Sequence, residues 1–167
     1  MVHTPLPWAT DKKNSLTLLT PFSSLSFLFV LQVASPSCHD VLPLRAWWEQ
    51  DKERARRLWS RDFANAWEVE KEDGERFPPE KCEPFVAKAI LEAHLATQSC
   101  LMIAPLQDWL ALSPLYNKRN PSEERINDPT NSKHYWCYRS HVLLEDLKED
   151  ANFKKEIRQM IRESGRI

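Results

Sequence analysis

The residues of this chain best suited to chemistry stand between His94 and Arg139, in "HLATQSCLMIAPLQDWLALSPLYNKRNPSEERINDPTNSKHYWCYR". Gln107 and Asp108 close a short apolar run. Arg125, Asn127, Trp136 and Arg139 follow, in a polar loop rich in asparagine and then an aromatic–basic tail. The chain holds seven tryptophans, enough for a core and for an exposed sugar platform, because the apolar C–H surfaces of sugar rings pack on flat aromatic faces.

Other chemistries fit poorly. Two glycines, Gly74 and Gly165, against 12 prolines cannot build the glycine-rich cradles of dinucleotide or P-loop sites, so no such cofactor is expected. Lys and Arg number 23 against 24 Asp and Glu, a balance that argues against a strong hold on nucleic acid or an anionic membrane. His134, Cys137 and His141 have a spacing that a metal could use on a helix. One cluster without a second pair is a weak zinc pattern, and no metal is expected. Cys38, Cys82, Cys100 and Cys137 form no CxxC pair, and a chain of this size does not need staples. They read as free thiols in a reducing compartment, which points to the cytoplasm.

The elements that must position these residues begin near Ser35. Leu44, Trp47, Trp48, Ala55, Leu58, Trp59, Phe63 and Trp67 recur at spacings of three and four, which predicts one amphipathic helix. Glu49, Glu53, Arg56 and Arg57 take its wet side, with Glu53 and Arg57 as an i,i+4 pair. "KEDGERFPPEKCEP" is a loop. Pro84 opens a second helix with Val86, Ile90, Leu91 and Leu95 as its buried stripe, and His94 beside it as a packed histidine. Cys100 to Leu106 suits a strand buried on both faces that delivers Gln107 and Asp108 at its C-terminal edge. A last helix runs from Ser140 to about Ser164, with Leu144, Leu147, Ile157, Met160 and Ile161 inward and Gly165 as its stop. His39-Asp40, ahead of the first helix, reads by residue type alone as an N-cap.

Residues 1–32 differ from the rest. The run "SLTLLTPFSSLSFLFVLQVA" has features of a secretory signal, yet Pro21 interrupts it and Pro36 crowds the cleavage region. As a membrane span, residues 16–33 are short, and five Ser/Thr and a proline weaken them. "SLSFLFVLQ" also has the form of a translated pyrimidine-rich tract ending in CAG. On that reading, residues 1–32 are an unspliced leader and residues 33–167 carry the evolved structure.

Four stretches in order, "SPSCHD", "LRAWWEQDKERARR", "APLQDWLAL" and "ERINDPTNSKHYWCYR", resemble the C-terminal end of the 4-alpha-glucanotransferases. These are the amylomaltases and disproportionating enzymes of glycoside hydrolase family 77. The "INDPTN" and "HYW.YR" forms are most similar to the plant cytosolic disproportionating enzymes. The resemblance runs from Val33 to the end. It implies an α/β fold, the C-terminal piece of a (β/α)8 barrel, mostly helical with one or two short strands. It implies transfer of α-1,4-glucan segments or glucosyl units among maltose, malto-oligosaccharides and glucans, by a retaining route.

Residue by residue, the resemblance implies that Asp40 is the aspartate that steadies the oxocarbenium-like transition state. His39 beside it grips sugar hydroxyls, with bonds that strengthen as the ring flattens. Arg125 and Asn127 match an Arg-x-Asn loop that approaches the cleft, with Pro129 shaping the turn. Gln107 and Asp108 match a pair that orients neighbours at the barrel mouth, and Trp136 and Arg139 match a closing "W.xR" that supplies packing and an ion pair. Cys137 stands where the plant form has arginine, and Cys100-Leu101 where it has bulkier residues. The nucleophile's Arg-x-Asp motif and the acid/base's Glu-Asp-Leu-Gly-like motif are absent. A closed barrel takes about 250 residues, so the chain by itself is expected to be inactive. Two other readings are a non-catalytic glucan-binding module using Trp136, Tyr138 and the His39-Asp40 pair, and a membrane-anchored protein.

Overall fold

The structure, a computed structural model, describes residues 32–60 and 78–167. The reading of the leader therefore lies outside the described residues, as do Phe63, Trp67 and the "KEDGERF" part of the loop.

Two strands are described. β1, Val33–Ala34, pairs in parallel with β2, Leu101–Met102, in the register Val33↔Leu101 and Ala34↔Met102. The Ile103 amide extends the ladder to the Ala34 carbonyl at 2.9 Å. Between the strands, the described residues form three helices: α1, Leu44–Gln50, α2, Lys52–Leu58, and α3, Pro84–Leu95. After β2 come α4, Leu106–Leu110, a 3-10 turn, Pro121–Glu124, α5, Leu144–Glu149, and α6, Ala151–Glu163. Parallel strands joined through helices are the α/β pattern that the sequence implied.

The strand expectation needs correction. Among the described residues the strand spans only Leu101–Met102, because Pro105 turns the chain into α4 and places Gln107 and Asp108 inside that helix. Nor is the run buried on both faces. Met102 and Ala104 pack on the core, whereas Val33, Leu101 and Ile103 share the other face at 53%, 53% and 56% exposure.

Two helices expected to be continuous are broken at an aspartate. Asp51 takes extended angles between α1 and α2 and accepts the Arg54 amide at 3.0 Å, starting a new helix where the apolar period alone would continue the old one. Asp150 separates α5 from α6 in the same way, accepting the Phe153 amide at 2.9 Å. A short acceptor at an N-cap satisfies a donor that the preceding helix cannot. The break shifts the faces: Leu144 is exposed, and Phe153 is buried beside Met160. Glu53 pairs with Arg56 at 2.8 Å rather than with Arg57.

α3 follows expectation. Pro84 sits in its first turn, Val86, Ile90, Leu91 and Leu95 are buried, and His94 Nδ1 lies 2.7 Å from the Ile90 carbonyl oxygen. These residues meet Trp48, Trp59, Leu110, Phe153 and Met160 in one core. Gly165 ends α6 with φ +74°, the left-handed stop expected there. Arg166 then reaches back to the far end of α3, donating to the carbonyls of Leu95, Thr97 and Ser99 at 2.7, 2.8 and 2.9 Å.

Candidate functional site

β1 leads into the loop that holds His39 and Asp40, and both ends of that loop are fastened by one buried carboxylate. Asp108 has 0% exposure. Its Oδ2 accepts the Ser37 hydroxyl at 2.5 Å, and its Oδ1 accepts the Leu44 amide at 2.8 Å. Asp108 thus satisfies the first turn of α1, the role that residue type assigned to His39-Asp40. Burial raises the Asp108 carboxyl above its ordinary range, and the bonds from Ser37 and Leu44 oppose that shift.

Released from capping, the Asp40 carboxylate faces the open corner. His39 Nε2 stands 3.2 Å from Asp40 Oδ2, with both side chains half exposed. Asn127 Nδ2 donates to Asp40 Oδ1 at 2.7 Å, and the Asn127 amide donates to the His39 carbonyl at 3.1 Å. Trp136 lies against the His39 ring with centroids 5.1 Å apart and is 63% exposed. A carboxylate, an imidazole, an amide and an open indole face therefore meet at one corner, drawn from loops almost a hundred residues apart.

The second loop is stiffened from within. Arg125 Nε donates to the Asn127 carbonyl at 2.8 Å, and its other guanidinium end reaches Asp128 at 3.0 Å. Asp128 Oδ1 accepts the Thr130 hydroxyl at 2.6 Å, the main cause of a carboxyl held below its ordinary range. His134 Nε2 contacts the Ile126 carbonyl at 2.9 Å and His141 Nε2 the Tyr116 carbonyl at 2.7 Å. Among the described residues no three metal-ligating side chains gather.

Gln107 is buried and donates to the Glu124 carbonyl at 3.2 Å. The Arg139 guanidinium makes no ion pair among the described residues, contrary to expectation, and its carbonyl instead accepts from Arg119 at 2.7 Å. All four cysteines are free; burial pushes the Cys82 thiol up, and the other three are exposed. A Glu-Asp-Leu triplet does occur at Glu145–Leu147, followed by Lys148 instead of glycine. It opens α5 as its acidic first turn, and no hydrogen bond or ion pair links it to the corner among the described residues.

Sequence reasoning missed Arg45 and Glu124, which are buried and paired at 2.9 Å. Arg45 stands three residues before Trp48, on the buried side of α1, and that position was the available signal.

No helix among the described residues is long and apolar enough to cross a membrane. The profile of glycoside hydrolase family 77, described as 4-alpha-glucanotransferase, matches residues 8–145. The 4-alpha-glucanotransferase DPE2 of Oryza sativa subsp. japonica is 43% identical over 136 residues, which are 81% of this chain and 13% of the relative. A 4-alpha-glucanotransferase of Chlamydia muridarum is 34% identical over 118 residues, 70% of this chain and 20% of the relative. One from Chlamydia trachomatis is 29% identical over 140 residues, covering 79% and 22%. The chain thus spans about a fifth or less of the first two relatives' length. The gathering of His39, Asp40, Asn127 and Trp136 falls within the family match, and the chain belongs to the 4-alpha-glucanotransferase family.

Proposed function

We propose that this chain forms the C-terminal wall of a (β/α)8 glucan cleft in a 4-alpha-glucanotransferase of starch and maltose metabolism, working in the cytoplasm. The observation that carries this reading is the 2.7 Å bond between Asn127 and Asp40, with Trp136 against His39 beside it. Asp40 steadies positive charge as the glycosidic bond breaks, and His39 donates to a sugar hydroxyl. Asn127 fixes the rotamer of Asp40, and Arg125 holds the loop that presents Asn127. Trp136 offers an apolar face to a sugar ring. Gln107, Asp108 and Arg139 support the loops.

Retaining chemistry needs a nucleophile and an acid/base about 5–5.5 Å apart. Their motifs are not in this sequence, so turnover requires further polypeptide of the same family. The exposed face of Val33, Leu101 and Ile103 supports that requirement, since an apolar face beside a parallel ladder is ordinarily covered. The test is coexpression with an N-terminal segment of a family member that ends before the matched region. Glucose release from maltose, with a soluble glucan as acceptor, should need both pieces and should vanish with Asp40→Asn. A combined preparation that forms a stable complex but gives no turnover would overturn the reading. The second reading, a glucan-binding module without turnover, is favoured by the corner being complete within this chain. Maltoheptaose binding that persists in a combined preparation without turnover distinguishes it.

A further inference from the structure

The two loops that meet at the sugar corner are referenced to each other through one buried ion pair. Arg45 follows Leu44, whose amide is held by Asp108, so it is rigidly tied to the loop of His39 and Asp40. Glu124 ends the 3-10 turn and precedes Asn127 by three residues; its carbonyl is held by Gln107. Arg45 Nη1 donates both to Glu124 Oε1 at 2.9 Å and to the Arg119 carbonyl at 3.0 Å. Glu124 is 1% exposed. Such a pair is a poor device for stability alone, because well-packed apolar residues often do as well. It is a good device for register, since removing or shortening one partner strands the other. The contact is also single: Arg45 Nε and Glu124 Oε2 have no partner among the described residues. No second bond between these two side chains would hold the Glu124 carboxylate on Arg45 if the first were lost.

We infer that Glu124 is a positioning residue, whose buried pair with Arg45 sets Asn127 against Asp40 and thereby shapes the sugar corner. Its role as sugar corner rests on the function proposed above; the positioning itself does not.

The test is nuclear magnetic resonance of the labelled chain, reading the side-chain amide of Asn127. Asp40→Ala gives the resonance position of that amide without its acceptor. Glu124→Gln and Glu124→Asp should each move it at least about halfway to that position while the dispersion of the core is kept. Glu123→Gln breaks an exposed pair with Arg119 in the same turn and should leave it in place. An unmoved Asn127 amide in either Glu124 variant would overturn the inference. Unfolding of both variants would overturn it too, because Glu124 would then be a determinant of folding and not of position. Maltoheptaose affinity supplies the second readout. Glu124→Gln should weaken it about tenfold in the wild-type background and have no effect in an Asn127→Ala background, since the coupling runs through one residue. Equal losses in both backgrounds would contradict the inference. A wild-type chain that binds no maltoheptaose would instead count against the glucan reading, and the Asn127 amide would still decide the positioning.

Discussion

Asp108 gives the sharpest test of how the corner is held. Replacing it with alanine orphans the Ser37 hydroxyl and the Leu44 amide, both bonded to its carboxylate. Each unsatisfied buried donor costs about 1–3 kcal/mol, so Asp108→Ala should cost about 2–6 kcal/mol. Asparagine keeps an acceptor for Leu44, and the Ser37 hydroxyl can turn to accept from the new amide. That variant loses only the charged part of two bonds and is relieved of a buried charge, so its cost should be about 0–2 kcal/mol. Urea unfolding followed by the fluorescence of the buried tryptophans measures both. The pH dependence adds a signed check. Burial raises the Asp108 carboxyl, so the unfolded chain ionises first as pH rises, and the folded state loses stability between the ordinary carboxyl value and the raised one. Asp108→Asn removes that loss. The stability advantage of wild type over Asp108→Asn should be widest in acid and narrow as pH rises through that window. Alanine and asparagine variants of equal stability, or an advantage that widens with pH, would refute the clasp.

Other predictions follow from single contacts. Trp48 and Trp59 are both buried, but Trp48 Nε1 donates to the Pro79 carbonyl at 2.9 Å, whereas Trp59 Nε1 has no partner among the described residues. Trp48→Phe should therefore destabilise more than Trp59→Phe, by about 1–2 kcal/mol in urea unfolding. Arg166→Ala strips the far end of α3 of its guanidinium donor and should cost about 2–3 kcal/mol by the same measurement. Gly165→Ala meets no neighbouring atom, so its cost should be the left-handed backbone alone, about 1–2 kcal/mol in thermal unfolding analysed at the midpoint.

How much was legible in the sequence varied with whether a local rule was sufficient. α3 was, because Pro84 and an apolar stripe specify the same helix from both end and face. The breaks at Asp51 and Asp150 were not, because apolar spacing continues across them and only the capping bond reveals the new start. The strand was overextended because an apolar run does not say which of its faces has a partner. Leu101 and Ile103 face outward, and Pro105 diverts the chain. At the corner, the residue types of His39-Asp40 suggested a cap, while the capping carboxylate came from Asp108, 64 positions after the Leu44 amide that it holds. The Arg45–Glu124 pair was legible only in part: the place of Arg45 three residues before Trp48 points inward, but charged residues ordinarily face water and no local rule names Glu124 as its partner.

The functional reading stands or falls with the glucan-binding wall of His39, Asp40, Asn127 and Trp136. Its most direct test is titration of the labelled chain with maltoheptaose, followed at the resonances of His39, Asp40 and Asn127 and of the Trp136 indole. A sugar wall at this corner should give saturable shifts concentrated on those four residues and lost in Trp136→Ala. Shifts confined to other surfaces, or none at all at millimolar sugar, would contradict it.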